Sequence, residues 1–241
     1  MRYGIFSDVH SNLEALEAVL AALGGERVDR LLCAGDLVGY GADPAPCVKR
    51  LRSCGVAAVC GNHDRAVIGR MPLEWFNEQA AAAVQWTEGH LSAEEKAFLG
   101  ELPLTWTDGQ VTVVHGSLYE PGEFHYVMDL QGAKLCLDLQ QTPVAFIGHT
   151  HVPGFFVEEE GGIRFARAGR VTLPAGRKTL VNAGSVGQPR DGDPRAAYCL
   201  YDSESRTIEI HRVAYPLERT QGKIRAAGLP EFLAARLAQG Y

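Results

Sequence analysis

Two histidines, His149 and His151, stand one residue apart after the apolar run VAFI (residues 144–147) and a glycine. Four other short stretches carry the same kind of side chain: Asp8-Val9-His10, Gly35-Asp36, Gly61-Asn62-His63-Asp64 and His115-Gly116. Taken singly, each has an ordinary reading as an N-cap aspartate beside a surface histidine, a Gly-Asp turn or a hydrogen-bonded loop. Together they supply carboxylate, amide and imidazole donors and no thiolate. That donor set suits Mn, Fe, Zn or Co rather than a soft metal. Seven candidate ligands (Asp8, His10, Asp36, Asn62, His115, His149, His151) are too many for one tetrahedral ion. They suit two ions with one carboxylate between them. Two carboxylates against two divalent cations leave such a locus cationic, which favours a phosphate-bearing ligand. A water between two such ions loses a proton near neutral pH and becomes a strong nucleophile.

The elements that must position these groups follow from periodicity. RYGIF, Asp29–Cys33 and Val56–Cys60 read as strands, with helices over 12–23 and 44–53 between them. This βαβαβ alternation predicts a parallel sheet covered by helices. Residues 73–88 read as an Ala-rich helix, and Ser92-Ala93-Glu94-Glu95 as a capping box that starts the next. Leu104–Asp108 and Gln110–His115 flank Gly109 as a hairpin, 127–140 reads as a helix and Pro143–Ile147 as a strand. From 154 to 213 strands dominate, and two short helices close the chain, the second running from near Pro230 to Gly240. Every candidate stretch therefore follows a strand. The carboxyl ends of strands in an open sheet are where ligands bind, and distant residues converge there.

Composition removes some alternatives. The 241 residues suit one domain, 1–241, and hydrophobic and charged contents of 46% and 22% are ordinary for a globular chain. A net charge of -6 predicts no nucleic-acid partner and no attraction to anionic membrane. The sequence shows no signal-peptide pattern and no apolar run long enough for a membrane span. The six cysteines form no CxxC pair, which fits a reducing, cytoplasmic setting.

The five stretches, in this order over residues 8–151, resemble the motif set of the calcineurin-like metallophosphoesterases. Asn182-Ala183-Gly184-Ser185-Val186-Gly187-Gln188-Pro189-Arg190 resembles a segment of the small prokaryotic, phosphodiesterase-like branch of that superfamily. The resemblance implies an α+β fold, a four-layer α/β/β/α sandwich of two mixed β-sheets flanked by helices, with a dinuclear site between the sheet edges. It implies one divalent metal on Asp8, His10, Asp36 and His151. A second would sit on Asp36, Asn62, His115 and His149, with Asp36 bridging and Mn2+, Fe or Zn2+ as the ions. A metal-bridging hydroxide would attack phosphorus in line. His63 would protonate or hydrogen-bond the leaving oxygen, and Asp64 would orient the His63 ring.

Departures from relatives narrow the substrate. Eukaryotic-type protein phosphatases and dinucleoside-tetraphosphate hydrolases carry Asp-Arg shortly after Gly-Asp. Here the run is Gly35-Asp36-Leu37-Val38-Gly39-Tyr40-Gly41, without that arginine. A phosphodiesterase acting on a small phosphoester is the expected function. A phosphomonoesterase or protein phosphatase-like hydrolase would use the same metals. A non-catalytic scaffold of the same fold, known in a retromer subunit, has lost ligand histidines that are intact here. Arg190 is a candidate phosphate contact, or else a loop arginine paired with Asp191 or Asp193. Asn182 reads as a turn residue, Arg65 as either a cleft residue or a solvated helix start, and the Tyr119–Tyr126 loop as a lid without direct contact. The apolar tail around Leu229–Leu237 is expected to dock on the core or on a partner.

Overall fold

A computed structural model describes residues 1–167 and 169–241. In chain order the elements of the first half are β1 (Arg2–Phe6), α1 (Leu13–Gly24), β2 (Arg30–Cys33), α2 (Pro44–Ser53), β3 (Ala57–Ala58), α3 (Asn62–Val67), α4 (Glu78–Glu88) and α5 (Ala93–Glu101). Then come β4 (Thr105–Thr107), β5 (Val111–Val114), α6 (Leu130–Leu139), β6 (Val144–Ile147), β7 (Gly154–Glu159) and β8 (Gly162–Ala166). The chain ends with β9 (Arg170–Thr172), β10 (Thr179–Asn182), β11 (Ala196–Asp202), β12 (Thr207–Val213), α7 (Leu217–Ala226) and α8 (Glu231–Ala235). Two six-stranded sheets result, ordered β3-β2-β1-β11-β12-β9 and β4-β5-β6-β10-β7-β8. Both are mixed. β1, β2 and β3 are mutually parallel, and β5, β6 and β10 likewise, while β11 lies antiparallel beside β1 and β7 beside β10.

The four layers follow from period-two alternation in strands covered on both faces. Tyr3 and Ile5 of β1, Cys199 and Tyr201 of β11, and Val144 and Phe146 of β6 meet between the sheets. Their alternates point outward. Phe6 and Leu200 pack under Leu16, Leu20, Val48 and Leu51 of α1 and α2, and Ala145 and Ile147 pack under Ala133, Cys136 and Leu137 of α6. A fourth cluster joins Ile224, Leu229, Leu233 and Leu237 of the tail to Tyr40 and to Ala80 and Ala83 of α4. The tail thus docks on its own core. Among the described residues no helix is long and apolar enough to cross a membrane.

Several boundaries differ from expectation for local reasons. The third strand shrinks to Ala57–Ala58, because Cys60 N–H turns away to donate to Pro103 O at 2.8 Å. The helix expected over 73–88 breaks. Phe76 is extended, and Asn77 caps α4 by accepting from Ala80 N–H at 3.0 Å. The helix expected from 127 starts at Leu130, where the Asp129 carboxylate accepts from Gly132 N–H. The Ser92–Glu95 capping box forms as expected. The parallel sheet expected from the first half is only half of a mixed one, since β11, almost 200 residues downstream, takes the second edge of β1.

Phe146 is fully buried between the sheets, on the strand that ends at the histidine pair. Phe146→Ala should lower unfolding free energy by about 3–5 kcal/mol in a denaturant titration, as cavities of this kind do.

Candidate metal centre

The carboxyl ends of β1, β2 and β3 face those of β5 and β6, and the loops leaving them carry the donors. Asp8 and His10 follow β1, Asp36 follows β2, Asn62 opens α3, His115 follows β5, and His149 and His151 follow β6. Asp8, His10, Asp36, His149 and His151 all take left-handed backbone, with φ between 47° and 67°. Each such non-glycine residue costs about 1–2 kcal/mol. The loops hold that strain through hydrogen bonds that cross between strands. Asp8 N–H donates to Gly35 O, His10 N–H to Asp36 O, Gly148 N–H to His115 O and Gly187 N–H to Asp8 O, at 2.8–3.0 Å. Gly61 permits the closest approach. A Cβ there would lie 2.0 Å from Asp36 Oδ1, so only glycine lets α3 begin against that carboxylate. His63 N–H then donates to Asp36 Oδ1 at 2.9 Å.

The side chains form two donor groups that meet at the Asp36 carboxylate. Asp8, His10 and His151 make the first, and Asp36, His115 and His149 the second, with the donor atoms of each within 4.8 Å of one another. Asp36 Oδ2 lies 3.5 Å from His10 Nε2 and 3.3 Å from His115 Nε2, so it faces both. Asn62 Oδ1 joins the second group, 3.1 Å from His115 Nε2. All these residues are buried except Asn62, which is partly exposed.

The hydrogen bonds fix which ring nitrogens face inward. His10 Nδ1 lies 3.1 Å from Val38 O and His151 Nδ1 2.6 Å from Gln188 O. A carbonyl accepts, so each Nδ1 carries a proton, and in the neutral ring each Nε2 is a lone pair. Those two lone pairs face each other at 3.1 Å. Likewise His115 Nδ1 donates to Ala34 O, and His115 Nε2 is ringed by Asp36 Oδ2, Asn62 Oδ1 and His149 Nδ1 at 3.1–3.3 Å. One proton cannot serve three acceptors. A cation can: nitrogens about 2.1 Å from a common ion stand about 3.0–3.4 Å apart at octahedral to tetrahedral angles. The residues therefore fit metal ions at both groups.

Without metal, the charges sort by neighbour. Burial opposes ionisation of Asp36, but His115 foremost outweighs it and holds the carboxyl well below the usual range. His151 does the same for Asp8. Burial would lower His115, yet the Asp36 carboxylate raises it to about 9. Burial pushes His63 down to about 4 and His149 to about 3, and lowers His10 and His151 as well.

His63 lies at this centre, with a ring nitrogen in reach of donors on His10 and Asp36. Its ring packs against His10, Tyr40 and Phe76, with centroids 4.5–5.0 Å apart. The expectation that Asp64 orients this ring is not met. The Asp64 carboxylate accepts from the N–H groups of Leu37, Val38 and Gly61 at 2.9–3.2 Å, and so ties the loop after β2 to the start of α3. His63 Nδ1 has no protein partner and faces position 39, where a Cβ would stand 2.5 Å away. Glycine at that position presents no side chain to Nδ1, and the ring is held by its aromatic neighbours. Burial, with the Asp36 charge beside it, raises Asp64 to about 7.

Arg190 reaches the centre. Its guanidinium donates to Gln188 Oε1 at 2.8 Å and to the Tyr40 hydroxyl at 3.3 Å, not to Asp191 or Asp193, which pair with Arg212 and Arg195. Tyr40 is a further residue of this centre, beyond those expected from the motifs. Its ring lies 4.6 Å from that of His10 and rests on the tail cluster. Its place four residues after Asp36, between Gly39 and Gly41, was the available signal. Asn182 is more than a turn residue, because its Nδ2 donates to Gly148 O and Thr150 Oγ1 and so fixes the His149–His151 loop. The 119–126 loop lies against the centre, where Tyr126 stacks on His149 at 3.8 Å and Phe124 meets His115 edge-on. Arg65 points toward that loop, near Gly122 O and the Phe124 ring.

The comparisons agree with this architecture. The calcineurin-like phosphoesterase superfamily domain matches residues 1–206. An uncharacterized protein of Methanocaldococcus jannaschii is 38% identical over 240 residues, covering 98% of this chain and 97% of that one. A metallophosphoesterase from Sphaerobacter thermophilus superposes with a TM-score of 0.88 at 43% identity, covering 100% of this chain and 99% of the other. A hypothetical protein from Pyrococcus horikoshii OT3 shares the fold, with a TM-score of 0.82 at 17% identity over 100% and 98% of the two chains. The chain belongs to the calcineurin-like phosphoesterase superfamily. It is a metal-dependent phosphoester hydrolase.

Two predictions follow from the geometry. Gly61→Ala should displace Asp36 or α3, lowering both the melting temperature and the divalent metal retained after dialysis. Protein stripped of metal should lose stability as pH falls from about 6.5 toward 4. There the unfolded chain protonates His10, His63, His149 and His151 while the fold resists, and these four outnumber Asp64, which pulls the other way. Melting temperature against pH, with and without metal, checks this.

Proposed function

We propose that this chain is a phosphodiesterase acting on a small phosphoester with two divalent cations, Mn2+, Fe or Zn2+. The observation that carries the reading is the position of Asp36, with Oδ2 3.5 Å from His10 Nε2 on one side and 3.3 Å from His115 Nε2 on the other. In this reading Asp8, His10, Asp36 and His151 hold one cation, and Asp36, Asn62, His115 and His149 hold the second. The pair supplies an activated water and neutralises charge on phosphorus when bound.

The protein groups do the rest. Arg190, tethered by Gln188 and Tyr40, offers its guanidinium to a phosphate oxygen. His63, kept neutral by burial, donates a hydrogen bond to the leaving oxygen. The rings of His10, Tyr40 and Phe76 hold His63 in place, and its Nδ1 has no protein partner. Asp64 acts one step away, by fixing the backbone on either side of Asp36 and His63. Diester rather than monoester preference is supported by a cleft of about 530 Å³ beside the centre, lined by Tyr126, Thr150, Asn182 and Arg190. A phosphoryl group alone would leave it mostly empty, whereas a second ester arm fills it. The domain spans 1–241 in this reading, because α7 and α8 form the floor under Tyr40. The six unpaired cysteines suit a cytoplasmic setting.

With Mn added, bis-p-nitrophenyl phosphate should be cleaved with a higher kcat/KM than p-nitrophenyl phosphate. The reverse order would favour a monoesterase, and no cleavage of either by metal-loaded protein would favour a scaffold. Asp36→Asn should lower bound Mn from two ions per chain to well below one by elemental analysis. Two ions retained would remove Asp36 from the bridging position. His63→Ala should keep both ions and lower kcat by about 10²-fold or more.

A further inference from the structure

The cleft beside the centre has a character of its own. Three large apolar side chains that are substantially exposed, Tyr126 at 55%, Met128 at 77% and Phe165 at 43%, gather around it. Exposed apolar side chains gathered at a concave site mark a ligand surface. Part of the wall is aromatic, from Tyr126, Phe156 and Phe165. Phe165 packs on Phe156 with centroids 4.9 Å apart, and Tyr126 is held flat by stacking on His149 at 3.8 Å. The charged side chains that line the cleft are both arginines, Arg167 and Arg190. Thr150, also in the wall, sits between His149 and His151 in the chain, and Tyr126 in the wall stacks on His149, so the cleft lies beside the donor groups.

We propose that this cleft is a subsite for a planar aromatic arm on the second ester oxygen of the substrate, with Tyr126, Met128 and Phe165 as its platform. The inference rests on the phosphodiesterase reading and specifies the substrate class for the same site. Rings and a thioether reward a flat π-surface more than a flexible alkyl chain. The two guanidiniums suit an anionic diester and can stack on its arm. Tyr126 links the two functions, because one face covers His149 and the side chain lines the cleft. Aromatic stacking of this kind changes affinity about ten- to a hundredfold per ring.

The test compares 2-phenylethyl and ethyl p-nitrophenyl phosphate, which share leaving group and diester chemistry and differ only in a remote ring. The ratio of their kcat/KM values should be at least tenfold in wild type, and should fall at least fivefold in Phe165→Ala and in Met128→Ala. Met128 lies on an exposed loop, so its removal tests the subsite without threatening the fold. Calorimetric binding of 2-phenylethylphosphonate against ethylphosphonate provides a readout independent of turnover, and should show the same preference and the same loss. Equal rates for the two diesters, with equal binding of the two phosphonates, would overturn the subsite and leave the phosphodiesterase reading standing. A preference that survives both substitutions would place the arm elsewhere and overturn it too. Ring-dependent phosphonate binding without cleavage of either diester would remove the phosphodiesterase reading and keep the subsite.

Discussion

A single buried carboxylate, Asp36, links the two halves of the molecule. It faces an imidazole from the loop after β1 on one side and another from the loop after β5 on the other. Two like-facing sets of lone pairs do not pack against one buried anion without a compensating positive charge. Metal-free protein meets part of that need by protonating His115, whose pKa the Asp36 charge raises to about 9. The facing Nε2 atoms of His10 and His151 lack that remedy, because burial lowers the pKa of both rings. Cation binding and the close approach of these loops are thus one constraint seen from two sides.

The surrounding structure absorbs the cost of that arrangement. Five donor residues sit in left-handed backbone, and the hydrogen bonds holding them run between segments far apart in sequence. Asp64, expected to orient the His63 ring, instead spends its carboxylate on three backbone N–H groups that brace the loop after β2. The tail, beyond the residues 1–206 matched by the superfamily domain, supports Tyr40, which touches His10, His63 and Arg190. A segment outside the matched region therefore bears on the orientation of groups at the centre.

Much of this was legible in the sequence because strand ends and polar donors coincide. Seven donor residues named from motif spacing come together as two groups, since each follows a short apolar strand. The mixed character of the first sheet was not legible in the βαβαβ alternation itself, because β11 joins β1 across nearly 200 residues. Local boundaries failed where a side chain overrode periodicity, as Asn77 and Asp129 did by capping helices later than the apolar pattern suggested. The roles of Asp64 and Tyr40 were hidden for a different reason. A carboxylate next to a histidine in sequence points away from it once both lie on a helix start. A tyrosine in a glycine-rich turn gains its meaning only from the tail that packs beneath it.

The central claim concerns where cations sit, so the most direct measurement is anomalous scattering from crystals soaked in Mn. Two peaks should appear about 3.5–4 Å apart on either side of the Asp36 carboxylate, one near His10 and His151 and the other near His115 and His149. A single peak, or peaks that do not share Asp36, would contradict the account.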